Sequence, residues 1–177
     1  MTAASSVVEL TRRLIAFDTV SRNSNLELIS YVASLLESAG ARLRLTYDDL
    51  GRKANLLATL GPDRDGGYVL SGHSDVVPVD GQDWSSDPFN AEIRADKLYG
   101  RGACDMKGFI GTALALLPEF KAADLKRPVH FAFSFDEEVG CVGVRRLLDD
   151  LKTAGIKPAL AIIGEPTNMR VVGAHKA

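Results

Sequence analysis

The stretch "SGHSDVVPVDGQDW", residues 71–84, closes an apolar run with an imidazole and a carboxylate two positions apart, His73 and Asp75, and then opens into a long polar loop. The run itself, "YVLSGH" at 68–73, reads as a strand. Side chains two apart in an extended chain project to the same side, so such a strand delivers both groups to one place. The residues that follow show what they meet there. A helical run starts at "MKGFIGTALALLPEF" (106–120) and is followed by a nearly continuous apolar strand, "VHFAFSF" (129–135). Then come a helix closed by Gly155, "VGVRRLLDDLKTAG" (142–155), and a final buried strand, "ALAIIG" (159–164). Strand, helix, strand, helix, strand, with strands apolar on both faces, is the pattern of a parallel sheet covered by helices.

Upstream, Ser6 with Glu9 and Ser24 with Glu27 form two capping boxes, each ahead of apolar residues at helical spacing. "RLRLTY" (42–47) alternates and reads as a half-buried strand, and "NLLATL" (55–60) as another, joined to residue 68 by the turn "GPDRDGG". "AEIRADKLYG" (91–100) reads as a small hairpin around Ala95 and Asp96. The fold class is α/β: a three-layer α/β/α sandwich with a mixed, largely parallel central sheet. The chain shows no internal repeat and no interdomain linker.

Open sheets of this kind carry their chemistry beyond the carboxyl ends of the strands. Past "YVLSG" stand His73 and Asp75; past "VHFAFSF", Asp136, Glu137 and Glu138; past "ALAIIG", Glu165; and Asp105 precedes the intervening helix. Bare carboxylates crowded on one rim repel each other, and a divalent cation removes the conflict. One imidazole among carboxylates suits zinc, cobalt or manganese better than calcium or magnesium. The carboxylates are numerous enough for a pair of cations sharing a water. Asp75 is placed to reach the second ring nitrogen of His73 and fix its tautomer. Glu137 and Glu138, being adjacent, point in different directions, so one can ligate while the other addresses the water.

Together, "SGHSDVVP", "GRGACDMKG", "DEEVG" and "GEPT" resemble the co-catalytic zinc amidohydrolase and peptidase family of acetylornithine deacetylase and succinyl-diaminopimelate desuccinylase. "FDTVSRNSNLELISYV" and "VDGQDWSSDPF" look most like the acetylornithine deacetylase branch. The resemblance covers essentially the whole chain and implies a zinc-exopeptidase-like fold. It implies that His73 and Glu165 bind one metal, that Asp105 bridges two, that Glu138 binds the second, that Glu137 is the general base and that Asp75 orients His73. It also implies a cis peptide at Asp105–Met106 and cofactors of Zn2+ or Co2+. The implied substrate is a small N-acyl amino acid, N-acetylornithine first and a succinylated analogue as the alternative. A further histidine ligand and a lid domain that forms homodimers are family features with no counterpart here. The expectation is therefore the amino-terminal part of a catalytic domain, spanning residues 1–177, incomplete at its carboxyl terminus, with one cation held more tightly than the other and little turnover. A non-catalytic metal-binding module is the alternative from a different class. His175 is not promoted to the missing ligand.

The remaining composition narrows the partners. The chain has 177 residues, 46% hydrophobic and 25% charged, with a net charge of −2, and it has no basic stripe and no long apolar span. Nucleic acid and membrane are therefore not expected partners. Arg12 and Arg13 in an amphipathic start hint at an organelle address, but Glu9 and its cap read better as an ordinary helix. Cys104 and Cys141, far apart and outside any CxxC pattern, read as small buried reduced thiols of a cytoplasmic protein. His130 reads as a core histidine, Asp136 as structural, and Lys107 as serving the turn.

Overall fold

The computed structural model describes residues 6–170. Helices α1 (Val7–Ile15) and α2 (Leu26–Ser38) lead into β1 (Arg42–Tyr47), β2 (Ala54–Leu60) and β3 (Tyr68–His73). A hairpin of β4 (Glu92–Arg94) and β5 (Lys97–Tyr99) follows. Then come α3 (Gly108–Ala115), α4 (Leu117–Ala122), β6 (Val129–Ser134), α5 (Val142–Thr153) and β7 (Leu160–Ile163).

The main sheet has the order β1-β2-β6-β3-β7. Strands β6, β3 and β7 run parallel, while β1 and β2 are antiparallel to their neighbours. The pleat sorts the apolar residues into two layers. Leu56, Ala58, Phe131 and Phe133 face α1, α2 and α3, whereas Leu57, Val69 and Ala132 face Leu147 of α5. This is the three-layer sandwich that the alternation of apolar runs implies.

Local signals held where they depend on a few neighbouring residues. Ser6 accepts a hydrogen bond from the Glu9 N–H at 3.1 Å, and the Glu9 carboxylate accepts one from the Ser6 N–H at 2.8 Å, a complete capping box. Ala95 and Asp96 turn the hairpin with φ of 47° and 58°.

Four expectations are corrected. The second capping box does not form: Asn25 is the residue before α2, and it makes no side-chain cap. Its buried amide instead pairs with β2, accepting from the Ala54 N–H and donating to the Ala54 carbonyl, both at 2.9 Å, and it also donates to Ser74 Oγ at 2.9 Å. The helical run from Met106 is broken. Residues Ala103–Lys107 form an irregular turn, with Asp105 and Met106 outside helical backbone angles. The run then divides at Leu116, with Pro118 in the first turn of α4. Strand β7 is not buried. Among the described residues it is the last strand in the order, with β3 as its one partner, and Leu160, Ile162 and Ile163 are 53%, 45% and 65% exposed. Both cysteines are exposed, because Cys104 lies in the irregular turn and Cys141 precedes α5 in left-handed backbone.

The Asn25 contacts give a stability prediction. Asn25→Ala strips both polar groups of Ala54 of their partners in a buried setting and is expected to cost about 3 kcal/mol. Ser24→Ala, at an exposed hydroxyl that accepts the Leu26 N–H at 3.2 Å, is expected to cost about 0.5 kcal/mol. Urea unfolding of the two variants measures the difference, and equal losses would mean that the amide does not anchor β2.

Candidate metal centre

Because β3 lies between β6 and β7 and all three run parallel, their carboxyl ends share one rim. His73 ends β3, 2% exposed, opposite Ser134 of β6. Beyond Ser134 the chain turns through Asp136, at φ 53°, and presents Glu137 and Glu138. Beyond β7 the Gly164 N–H donates to the Ser71 carbonyl at 3.1 Å, which brings Glu165 to the same rim. Asp105 arrives from the irregular turn ahead of α3, and its peptide to Met106 is cis, as the resemblance implies. His73 Nε2 stands 3.1 Å from Asp105 Oδ1, 3.4 Å from Glu165 Oε1 and 4.0 Å from Glu137 Oε2.

Among the described residues, ligating atoms gather in two groups that share the imidazole: His73, Asp105 and Glu165, and His73, Glu137 and Glu138, each with its atoms within 4.8 Å of one another. The donor set, a nearly buried imidazole under half-buried carboxylates, fits a borderline divalent cation. The electrostatics of the bare rim point the same way. Burial, with Asp105, Glu137 and Asp75 nearby, pushes the Glu138 carboxyl up, against the pull of His73. Burial alone would push His73 down, but the Asp75 and Asp105 carboxylates outweigh it and raise the imidazole to about 9. Without a cation, a proton on His73 does part of the cation's work. Asp105 belongs to the group with Glu165 and not to the one with Glu138, so the two groups meet at His73.

Asp75 meets the second ring nitrogen of His73 with both its main chain and its carboxylate. His73 Nδ1–H donates to the Asp75 backbone carbonyl at 2.9 Å, while the carboxylate is 3.6 Å away. The main-chain carbonyl is the nearer acceptor and fixes the proton on Nδ1, with the carboxylate beside it. The carboxylate, buried itself, accepts from Ser21 Oγ at 2.7 Å and from the Glu137 and Glu138 N–H groups at 3.0 and 3.3 Å. Burial would push its pKa up, but the neighbouring imidazole and these donors hold it below the usual carboxylate range. Asp75 thus joins His73 to the Glu137–Glu138 turn.

Other groups around the rim have no signal in local sequence. Lys107 is wholly buried and donates to the Phe17 carbonyl at 2.7 Å. Burial pushes its ammonium down to about 7, against the pull of Asp18 and Asp75. Lys53 contacts Asp136 at 2.6 Å across an 83-residue separation, so Asp136 is more than a turn residue. The Cys141 thiol lies 3.5 Å from Glu137 Oε1, and burial and that carboxylate push it up. His130 is buried in β6 with Nδ1 2.9 Å from Thr59 Oγ1, a core histidine at the far end of the strand. A cavity of 430 Å³ opens near His130, lined by Arg42, Arg44 and Lys157 among others, and holds none of the rim carboxylates. His175 lies outside the described residues. No helix among the described residues is long and apolar enough to cross a membrane.

Comparison with known proteins agrees with this geometry. The family model described as peptidase family M20/M25/M40 matches residues 69–175, more than half of the chain. Acetylornithine deacetylase of Proteus mirabilis is 38% identical over 176 residues, covering 96% of this chain and 44% of the relative. The acetylornithine deacetylase of Photorhabdus laumondii is 39% identical, covering 96% and 45%. The chain thus spans less than half the length of these relatives. Among solved structures, human carnosine dipeptidase 1 superposes with a TM-score of 0.76 and 27% identity, covering 89% of this chain and 38% of that one. An M20 family metallo-carboxypeptidase of Sulfolobus solfataricus shares the fold with a TM-score of 0.74 at 23% identity. With the matched family model spanning all four strand-end motifs, the chain belongs to peptidase family M20/M25/M40.

Proposed function

We propose that His73, Asp105 and Glu165 hold a divalent cation, zinc or cobalt, that Glu138 contributes to a second, weaker position beside His73, and that Glu137 is the general base of an amide hydrolase. The proposed reaction is deacetylation of N-acetylornithine to ornithine and acetate. The observation that carries it is the convergence on one buried imidazole of carboxylates from two strand ends and a turn. The deacetylases that match over 96% of the chain support the acyl amino acid as substrate.

What a bound cation supplies is Lewis acidity toward the scissile carbonyl and the attacking water. The rest of the chemistry falls to side chains. Glu137 is half-exposed at the rim, where it can take the proton of the water and hand it to the leaving amine as the carbon–nitrogen bond breaks. Its N–H is fixed on Asp75, so the carboxylate swings about an anchored backbone. His73 keeps its position through the Asp75 carbonyl.

The test is an assay of the chain with added zinc or cobalt on N-acetylornithine, N-succinyl-diaminopimelate and a simple dipeptide. Slow, chelator-sensitive release of acetate is expected, faster than release of succinate. Dipeptide cleavage ahead of both would move the substrate class toward that of the carnosine dipeptidase whose fold it shares. Cation binding with no hydrolysis of any of the three would leave a metal-binding module and overturn the enzyme reading.

A further inference from the structure

We infer that Lys53 and Asp136 form a buried clamp that positions Glu137 and Glu138, so that Lys53 governs the cation held on the Glu138 side without touching it. This rests on the reading that the rim binds cations.

Lys53 immediately precedes β2, and its ammonium is 2.6 Å from both carboxylate oxygens of Asp136. The same ammonium donates to the Ser21 carbonyl. Both side chains are only 14% exposed, so the pair is shielded from screening by water. One ammonium thus ties together the loop after α1, the start of β2 and the turn after β6.

The hydroxyl of Ser21 carries the connection onward, donating to Asp75 Oδ2 at 2.7 Å. Asp75 in turn accepts the N–H groups of Glu137 and Glu138. The Glu137–Glu138 segment is therefore held twice: directly by Asp75, and from the preceding residue by Lys53 through Asp136.

Asp136 suits this role for two reasons. Its backbone is left-handed, φ 53°, a region that Asp and Asn tolerate better than most residues. Its carbonyl also accepts the Val142 N–H at 3.0 Å, so it starts the turn that leads into α5. Neither Lys53 nor Asp136 belongs to the groups of ligating atoms, which makes them positioning residues.

Removing Lys53 leaves a nearly buried carboxylate without its counter-ion, directly next to two further acids. Such an anion is driven toward water, and its backbone carries Glu137 and Glu138 with it. The group formed by His73, Asp105 and Glu165 takes its carboxylates from other elements and shares only His73 with the shifted side, so it is disturbed less.

The experiment compares the parent chain with Lys53→Met, Lys53→Arg and Asp136→Asn, the last keeping a residue that tolerates the left-handed turn. Cobalt titration followed by its visible spectrum reads each binding event. Amide hydrogen exchange at Glu137 and Glu138, in cobalt-free protein, reads the turn directly. In Lys53→Met and Asp136→Asn, the weaker cobalt site is expected to lose about tenfold or more in affinity, the scale of loss of a residue supporting a ligand. The tighter site should lose much less than the weaker one. Exchange at Glu137 and Glu138 should accelerate while Phe131 and Phe133 in β6 stay protected, and Lys53→Arg should restore both readouts. Unchanged exchange at Glu137 and Glu138, or loss of both cobalt sites in step with a falling melting temperature, would overturn the clamp. A parent chain that binds no cobalt, with exchange still responding to Lys53, would instead refute the cation reading.

Discussion

His73→Ala is expected to abolish tight divalent-cation binding, lowering affinity by more than about 100-fold, beyond the roughly 10–100-fold that loss of a supporting residue costs. Both groups of ligating atoms contain this imidazole, so no pairing of the remaining carboxylates replaces it. The position is also the most deeply buried of the set, where a lost ligand is not made good by a flexible neighbour. Glu138→Gln should have a narrower effect, removing the weaker cation and sparing the tighter one. Calorimetric titration with zinc, alongside a melting curve to confirm folding, separates the two. Zinc held by folded His73→Ala as firmly as by the parent would mean that the imidazole is no ligand.

Without a cation, stability is expected to be level between pH 7 and 9, because two buried groups titrate in opposition there. His73 is raised from 6.5 to about 9. Its contribution is fully present below 6.5 and is lost as pH rises through 9, since the folded chain keeps a proton that the unfolded chain has released. Lys107 is lowered from 10.5 to about 7. Between those values the unfolded chain holds the extra proton, so stability rises with pH. Over the shared window the slopes cancel.

Each group alone is worth about 1.4 kcal/mol per pH unit. Lys107→Met should therefore lose stability at about that rate from pH 7 to 9, and His73→Ala should gain it. Urea unfolding with chelator at pH 7, 8 and 9 measures all three chains. A level profile for Lys107→Met would show that His73 is not held protonated. The same proton opposes the cation, so apparent zinc affinity should fall about tenfold for each unit of pH below 9.

The placement of the rim side chains was legible because three of the motifs sit at the ends of apolar runs, and burial dictates such runs over a few residues. Strand direction then placed the ends together: once β3, β6 and β7 are parallel, His73, Glu137, Glu138 and Glu165 can only share one side. The sequence by itself thus determined the layers, the rim and the inventory of side chains on it. What only the tertiary structure decided are the partners. Asn25 pairs with β2 and not with its own helix, and the Asp75 carbonyl joins its carboxylate in holding His73. Lys53 reaches Asp136, and β7 lies open at the edge. Helical and strand periodicities repeat every two to four residues and leave a local trace. A hydrogen bond between residues 83 positions apart depends on which strands become neighbours and in what register, and no short window of sequence contains that.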